Sequence, residues 1–162
     1  RPTRQQEDNV IRISTRGRYA MRAMVDVARH TDGTPVPRQE IAERQNISSD
    51  YVAQLFRDLA EAGLVEGVKG PGGGYLLARS AATITARDVV EAVEGPIALV
   101  HCVVPEEDPP CRRVDRCATH LLWKELSEAM TDVLSSVTLE DLGREADQID
   151  GTRQVIGKER PI

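Results

Sequence analysis

Residues 47–79, ISSDYVAQLFRDLAEAGLVEGVKGPGGGYLLAR, run a helix pattern directly into a hairpin pattern. Ser48 or Ser49 supplies a capping hydroxyl, and Val52, Leu55, Phe56 and Leu59 then recur at the spacing of one buried helix face. Gly63 suits the left-handed conformation that ends a helix. The same phase leaves Ser49, Asp50, Ala53, Gln54 and Arg57 on the outer face. Beyond Gly63, LVEGVKGPGGGYLLA predicts two short strands, 64–69 and 75–78, joined by a glycine-rich tip. This is not a nucleotide loop, because neither G-x-x-x-x-G-K-[ST] nor G-x-G-x-x-G is present. The glycines instead let a tight tip approach a backbone closely, with Lys69 at its base free to reach a phosphate or the minor groove.

Upstream, Ser14 or Thr15 caps a helix running to about residue 30, with Ala20, Ala23, Met24, Val27 and Ala28 on its buried side. TDGTPVP is a turn by composition, and Pro37 opens a short helix over RQEIAERQ with Ile41 and Ala42 inward. Three helices and a hairpin over residues 11–80 make a winged helix-turn-helix, so the expected fold is mainly α with a small β-hairpin wing. Residues 1–10 are set apart as an N-terminal extension. Downstream, residues 81–101 form a connecting segment whose helix, 86–94, is capped at Thr85, turns Val89, Val90 and Val93 inward and stops at Gly95 and Pro96. From about residue 118 to 137 a long helix carries Leu122, Leu126, Ala129, Met130, Val133, Leu134 and Val137. That stripe is spaced for packing on another helix, and a compact winged domain leaves little of its own chain to cover it. Residues 118–142 are therefore expected to be the dimerisation helix region of a homodimer. TLEDL adds a turn of helix, and residues 143–162 read as a polar, disordered tail.

The 162 residues are 40% apolar, enough for a modest core, and carry a net charge of -5. The charge is unevenly divided: residues 1–80 hold 12 Lys and Arg against 10 Asp and Glu, whereas residues 81–162 hold 9 against 16. A polyanion partner belongs to the front half, where Arg12, Arg16, Arg18, Arg22 and Arg29 surround one acid, Asp26. A solvated helix face is the competing explanation of those arginines. No run approaches the roughly 18 apolar residues of a membrane span, and RPTRQQEDNVIR has no apolar signal centre, so no membrane partner and a cytoplasmic location are expected. No convergent acid-base pair is recognisable, so an enzyme is not expected.

All three cysteines fall between residues 102 and 117, in the order Cys102-x8-Cys111-x5-Cys117-x2-His120. Three thiolates and an imidazole suit zinc or an iron-sulfur cluster, both of which accept soft, deprotonated donors. An odd cysteine count in a reducing compartment disfavours disulfides. A helix starting near residue 118 would bring Cys117 and His120 to one side of its first turn, while PEEDPP forms an extended, water-facing arm. His101 is a spare imidazole, better explained as structural or solvated. The spacing lies one residue from the Cys-x8-Cys-x5-Cys-x3-His of RNA-binding zinc fingers. Those fingers stack bases on aromatic rings, and no Phe, Tyr or Trp lies between Cys102 and His120, so RNA is not an expected partner.

Taken together, ISTRGRYAMRAMVDVA, the 47–79 segment and CRRVDRCATHLLWKEL resemble the IscR family of bacterial winged-helix transcriptional regulators over about residues 11–142. The joint occurrence of GPGGGY and the Cys-x5-Cys-x2-His block is the most specific part. The resemblance implies a homodimer that binds double-stranded DNA and a 2Fe-2S cluster, with Cys102, Cys111, Cys117 and His120 as the ligands of the 102–120 loop. One departure is the first loop, eight residues where five is familiar. It further implies recognition in the major groove by the third helix, through Ser48, Ser49, Tyr51 and Gln54, with Arg12, Arg18, Arg57 and Lys69 on phosphates or in the minor groove. The implied function is a cluster-sensing regulator, a repressor in type, that controls iron-sulfur cluster assembly genes. A nitric oxide or redox sensor of the same superfamily, or a winged-helix protein with structural zinc, are the alternatives.

Overall fold

Helix α1, Thr15–His30, starts where the Ser14 hydroxyl accepts the Gly17 N–H (3.1 Å). In the computed structural model, which describes residues 13–104 and 111–158, α1 buries Ala20, Ala23, Met24 and Val27 completely. Helix α2, Arg38–Gln45, ends at Asn46, whose φ of 54° turns the chain into α3, Ser49–Glu61. Ser48 caps α3 by accepting the Tyr51 N–H (3.1 Å). Val52, Leu55, Phe56 and Leu59 of α3 join α1 and Ile41 of α2 in one apolar core, as their spacing requires. The helical boundaries agree with the sequence because each is set by a cap within a few residues of it.

Strands β1, Val65–Val68, and β2, Gly74–Leu77, pair antiparallel, Val65 facing Leu77 and Val68 facing Gly74. Val36 adds a further rung: it exchanges two backbone hydrogen bonds of 2.9 Å with Tyr75 and fixes the entry of α2 to the wing. At Gly74 (φ 153°) a Cβ would lie 2.1 Å from the Val36 carbonyl oxygen, so this close approach depends on glycine. The Phe56 and Tyr75 rings, 4.3 Å apart at their centroids, tie the wing to α3.

Helix α4, Ala86–Glu94, opens with a reciprocal capping box of Thr85 and Asp88. Helix α5, Ala118–Ser136, packs along α4 but buries only Ser127. Helix α6, Leu139–Lys158, corrects the expectation of a short turn followed by a disordered tail. Leu139 is fully buried in the core, and its N–H reaches the Ile84 carbonyl (2.9 Å) while the Ala86 N–H reaches that of Val137 (2.8 Å). These bonds join the start of α6 to the start of α4. Thr138 and Asp141 then cap α6, and Arg29 of α1 holds its middle through Asp147 (2.9 Å) and Asp150 (2.6 Å). The polarity that suggested disorder is the outer face of an amphipathic helix whose inner positions include Leu142, Gly143 and Ala146. The 1–10 extension, Arg12, residues 159–162 of the expected tail and the 105–110 arm lie outside the described residues. No described helix is long and apolar enough to cross a membrane.

Candidate functional site

On α3 and its cap, Ser48, Gln54 and Arg57 are exposed, and Ser49 and Tyr51 are half-buried. The Ser48 hydroxyl already accepts a backbone N–H, and Tyr51 packs edge-on against Tyr19 of α1 with centroids 6.0 Å apart. Lys69 is exposed at the wing tip. Arg18 is exposed on α1, at the rim of an apolar groove that also takes in Leu134 and Leu142.

The other arginines of α1 serve the fold. Arg16 pairs with Asp58 and donates to the Val93 carbonyl (3.3 Å). Arg22 lies over the Tyr19 ring (5.0 Å) and donates to the Gln45 side chain (3.1 Å) and carbonyl (2.9 Å). Arg29 is taken by α6. Asp26, the lone acid among them, is 3% exposed and receives Arg44 through two parallel bonds of 2.9 Å and Gln45 through one of 3.0 Å. The basic run of the sequence is therefore largely a set of brackets across α1, α2, α3 and α6. Sequence reasoning passed over the Asp26–Arg44 pair. Its signal was a carboxylate at the edge of the Ala23, Met24 and Val27 stripe, where a charge persists only if it is paired.

The cysteine loop folds back on the start of α5. A single helical turn, His101–Val103, brings Cys102 so close that its sulfur lies 3.4 Å from His120 Nδ1, across 18 residues. Cys117 occupies the N-cap position of α5, and the His120 N–H donates to its carbonyl (3.1 Å). The Cys117 thiol is held below its ordinary pKa, first by the Thr119 hydroxyl at 3.1 Å, then by the His120 N–H and by the Arg113 charge. That favours the thiolate, the form that binds metal. Cys111 is exposed, and among the described residues no three of these donors converge on one point. His101 is exposed. The donor set is chemically fit for a soft metal centre, and two of its four members already meet. The Ser127 hydroxyl accepts the Leu99 N–H (3.3 Å) and so fastens the segment leading to Cys102 onto α5.

Residues 13–145 match the Rrf2 family, described as an iron-dependent transcriptional regulator. The HTH-type transcriptional regulator IscR of Xenorhabdus nematophila is 45% identical over 140 residues, 86% of this chain and 84% of that protein. Among solved structures, T. potens IscR gives a TM-score of 0.69 at 33% identity over 86% of this chain and 90% of that one. CymR, the global cysteine regulator of B. subtilis, gives 0.69 at 37% identity over 84% and 98%. Two regulators with differently named roles share this fold equally well, so the signal has to be sought in side chains and not in the fold. With a winged helix-turn-helix, transcriptional regulators as its relatives and a family match spanning most of its length, the chain belongs to the Rrf2 family of DNA-binding transcriptional regulators and is not an enzyme.

Proposed function

We propose that the chain is a homodimeric, cytoplasmic regulator that reads double-stranded DNA and responds to a 2Fe-2S cluster held by Cys102, Cys111, Cys117 and His120. The observation that carries this reading is the 3.4 Å approach of His120 Nδ1 to the Cys102 sulfur, with Cys117 three residues before His120. Once bound, a cluster supplies a labile centre whose occupancy follows cluster supply or oxidative and nitrosative damage. An imidazole ligates only when neutral, so one histidine among three thiolates makes retention sensitive to acid. The loop is fastened to α5 through Ser127, and α5 is the proposed dimer helix. Ordering the loop therefore biases how the two winged domains are set relative to each other.

On DNA, Gln54 has the two-pronged amide that bridges adenine N6 and N7, and Ser48, Ser49 and Tyr51 flank it with hydroxyls. Arg18, Arg57 and Lys69, with Arg12, would take phosphates or the minor groove. Genes of iron-sulfur cluster assembly are the proposed targets.

Anaerobic purification with visible absorption and iron, sulfide and zinc analysis tests the centre. About two irons and two sulfides per chain are expected, and His120→Ala should lower both without unfolding the protein. A colourless protein with about one zinc per chain would mark a structural site and end the sensing mechanism, while the DNA-binding reading would stand.

A further inference from the structure

We infer that Arg38 and Lys69 form a phosphate clamp beside the tip of the wing, gripping one backbone phosphate of duplex DNA. The inference rests on the DNA-reading function and adds to it a residue, Arg38, and a place. Arg38 is the first residue of α2, Lys69 follows β1, and the two line a single cleft of about 600 Å³ with Tyr75 and the wing glycines. No carboxylate lines this cleft.

Charge pairing and shared lining together point to the cleft. Asp and Glu outnumber Lys and Arg by 26 to 21 in this chain, and five of the winged domain's ten cations are engaged within the protein. Arg16, Arg29, Arg44 and Arg79 each pair with a carboxylate, and Arg22 is bonded to Gln45. Arg18, Arg38, Arg57 and Lys69 are exposed and make no ion pair among the described residues, and of these Arg38 and Lys69 line one cleft together. Two cations that share an acid-free cleft in an acidic protein repel each other, and an external anion relieves that repulsion.

The cleft is also rigid where it matters. The reciprocal Val36–Tyr75 bonds of 2.9 Å hold the backbone two residues before Arg38 against β2, and the Phe56 ring packs on Tyr75. Ordering on binding is thus confined to two side chains, which keeps its entropic cost low. Gly70, Gly73 and Gly74 present no side chain to block a sugar-phosphate strand. A free phosphate offers the same chemistry; the duplex is favoured because the wing belongs to the DNA-reading domain.

A duplex selected by the wild-type protein from a randomised pool provides the probe, with affinity measured across a salt series. Each phosphate contact contributes about 0.9 to the slope of log K against log salt. Replacing both cations, Arg38→Ala with Lys69→Ala, should therefore flatten the slope by about one per protomer, and Arg38→Ala alone by a part of that, weakening matched and mismatched duplexes alike. Arg38→Lys should restore most of the slope, and Arg144→Ala on α6 should leave it unchanged. An unchanged slope for Arg38→Ala would overturn the clamp while DNA reading stands. So would saturable binding of inorganic phosphate to the wild-type cleft, lost in Arg38→Ala, with that variant's DNA slope intact. A wild-type protein that selects no duplex would overturn the DNA reading and the clamp with it.

Discussion

Asp26 and Arg44 form one ion pair whose halves are not equivalent. The Asp26 side chain is 2% exposed and that of Arg44 is 30% exposed. Removing the carboxylate leaves a guanidinium that water and Glu40 (3.0 Å) still reach. Removing the guanidinium strands a buried carboxylate with Gln45 as its chief remaining donor. Breaking a buried pair costs about 3–5 kcal/mol, so Arg44→Met should lie in that range and Asp26→Asn near its lower end or below it. Replacing both should recover part of the loss. Urea unfolding midpoints of the three variants decide this, and equal losses for the two single changes would refute the asymmetry. At this scale the sequence was only partly legible. Gln54, Arg57 and Lys69 are exposed where helix phase and the wing predict, whereas Arg16, Arg22 and Arg29 are not free because their partners lie far away along the chain. The meeting of His120 with Cys102 depends on a loop closure that spacing alone cannot specify.

Elements whose ends carry local signals were legible almost to the residue. Ser14, Ser48 and Thr85 cap α1, α3 and α4 where their hydroxyls predict. Helix α6 was missed because its support is non-local: Arg29 lies 118 residues from Asp147, and the strand-like bonds between Ile84 and Leu139 join distant segments. Two consequences belong to this helix. Arg29→Ala removes both ion pairs from partners that are more than half exposed, so the loss should be about 1 kcal/mol or less. It should appear as faster amide exchange in α6, with α3 unchanged. Asp141 is held below its ordinary pKa first by the Thr138 hydroxyl and then by the Thr138 N–H. A depressed carboxylate stabilises the fold fully above its unfolded-state value and loses that contribution as pH falls through its folded-state value. The start of α6 should therefore keep its protection down to about pH 4 and fray below it, and Thr138→Ala should weaken the acid transition that Asp141 contributes, leaving the part that the Thr138 N–H supports. A cap whose exchange rates do not change across that range would refute this assignment.

At the scale of the whole molecule, the proposed dimer rests on α5. The helix has two apolar edges. Met130, Leu134 and Val137 are half-buried, with Leu134 in the groove that α6 shares, while Leu122 (54% exposed), Leu126 (41%) and Val133 (64%) stand in water. Leu122, Leu126, Ala129 and Val133 alternate in steps of four and three, the seam of a helix that packs against another helix. Burying one such side chain contributes about 1.5–3 kcal/mol, and in a two-fold interface each position counts twice. A charge placed in that seam loses the burial on both protomers and adds the repulsion of two like charges. Leu126→Glu should therefore convert a dimer, seen by sedimentation, into a folded monomer with unchanged circular dichroism, because nothing in its own core depends on an exposed Leu126. The monomer would keep one α3 and one wing, so its affinity for a duplex carrying two half-sites about one turn apart should fall to that for a single half-site. A Leu126→Glu protein that remains dimeric would place the interface elsewhere, and a monomer with undiminished affinity for the double site would remove the dimer from the DNA-reading mechanism.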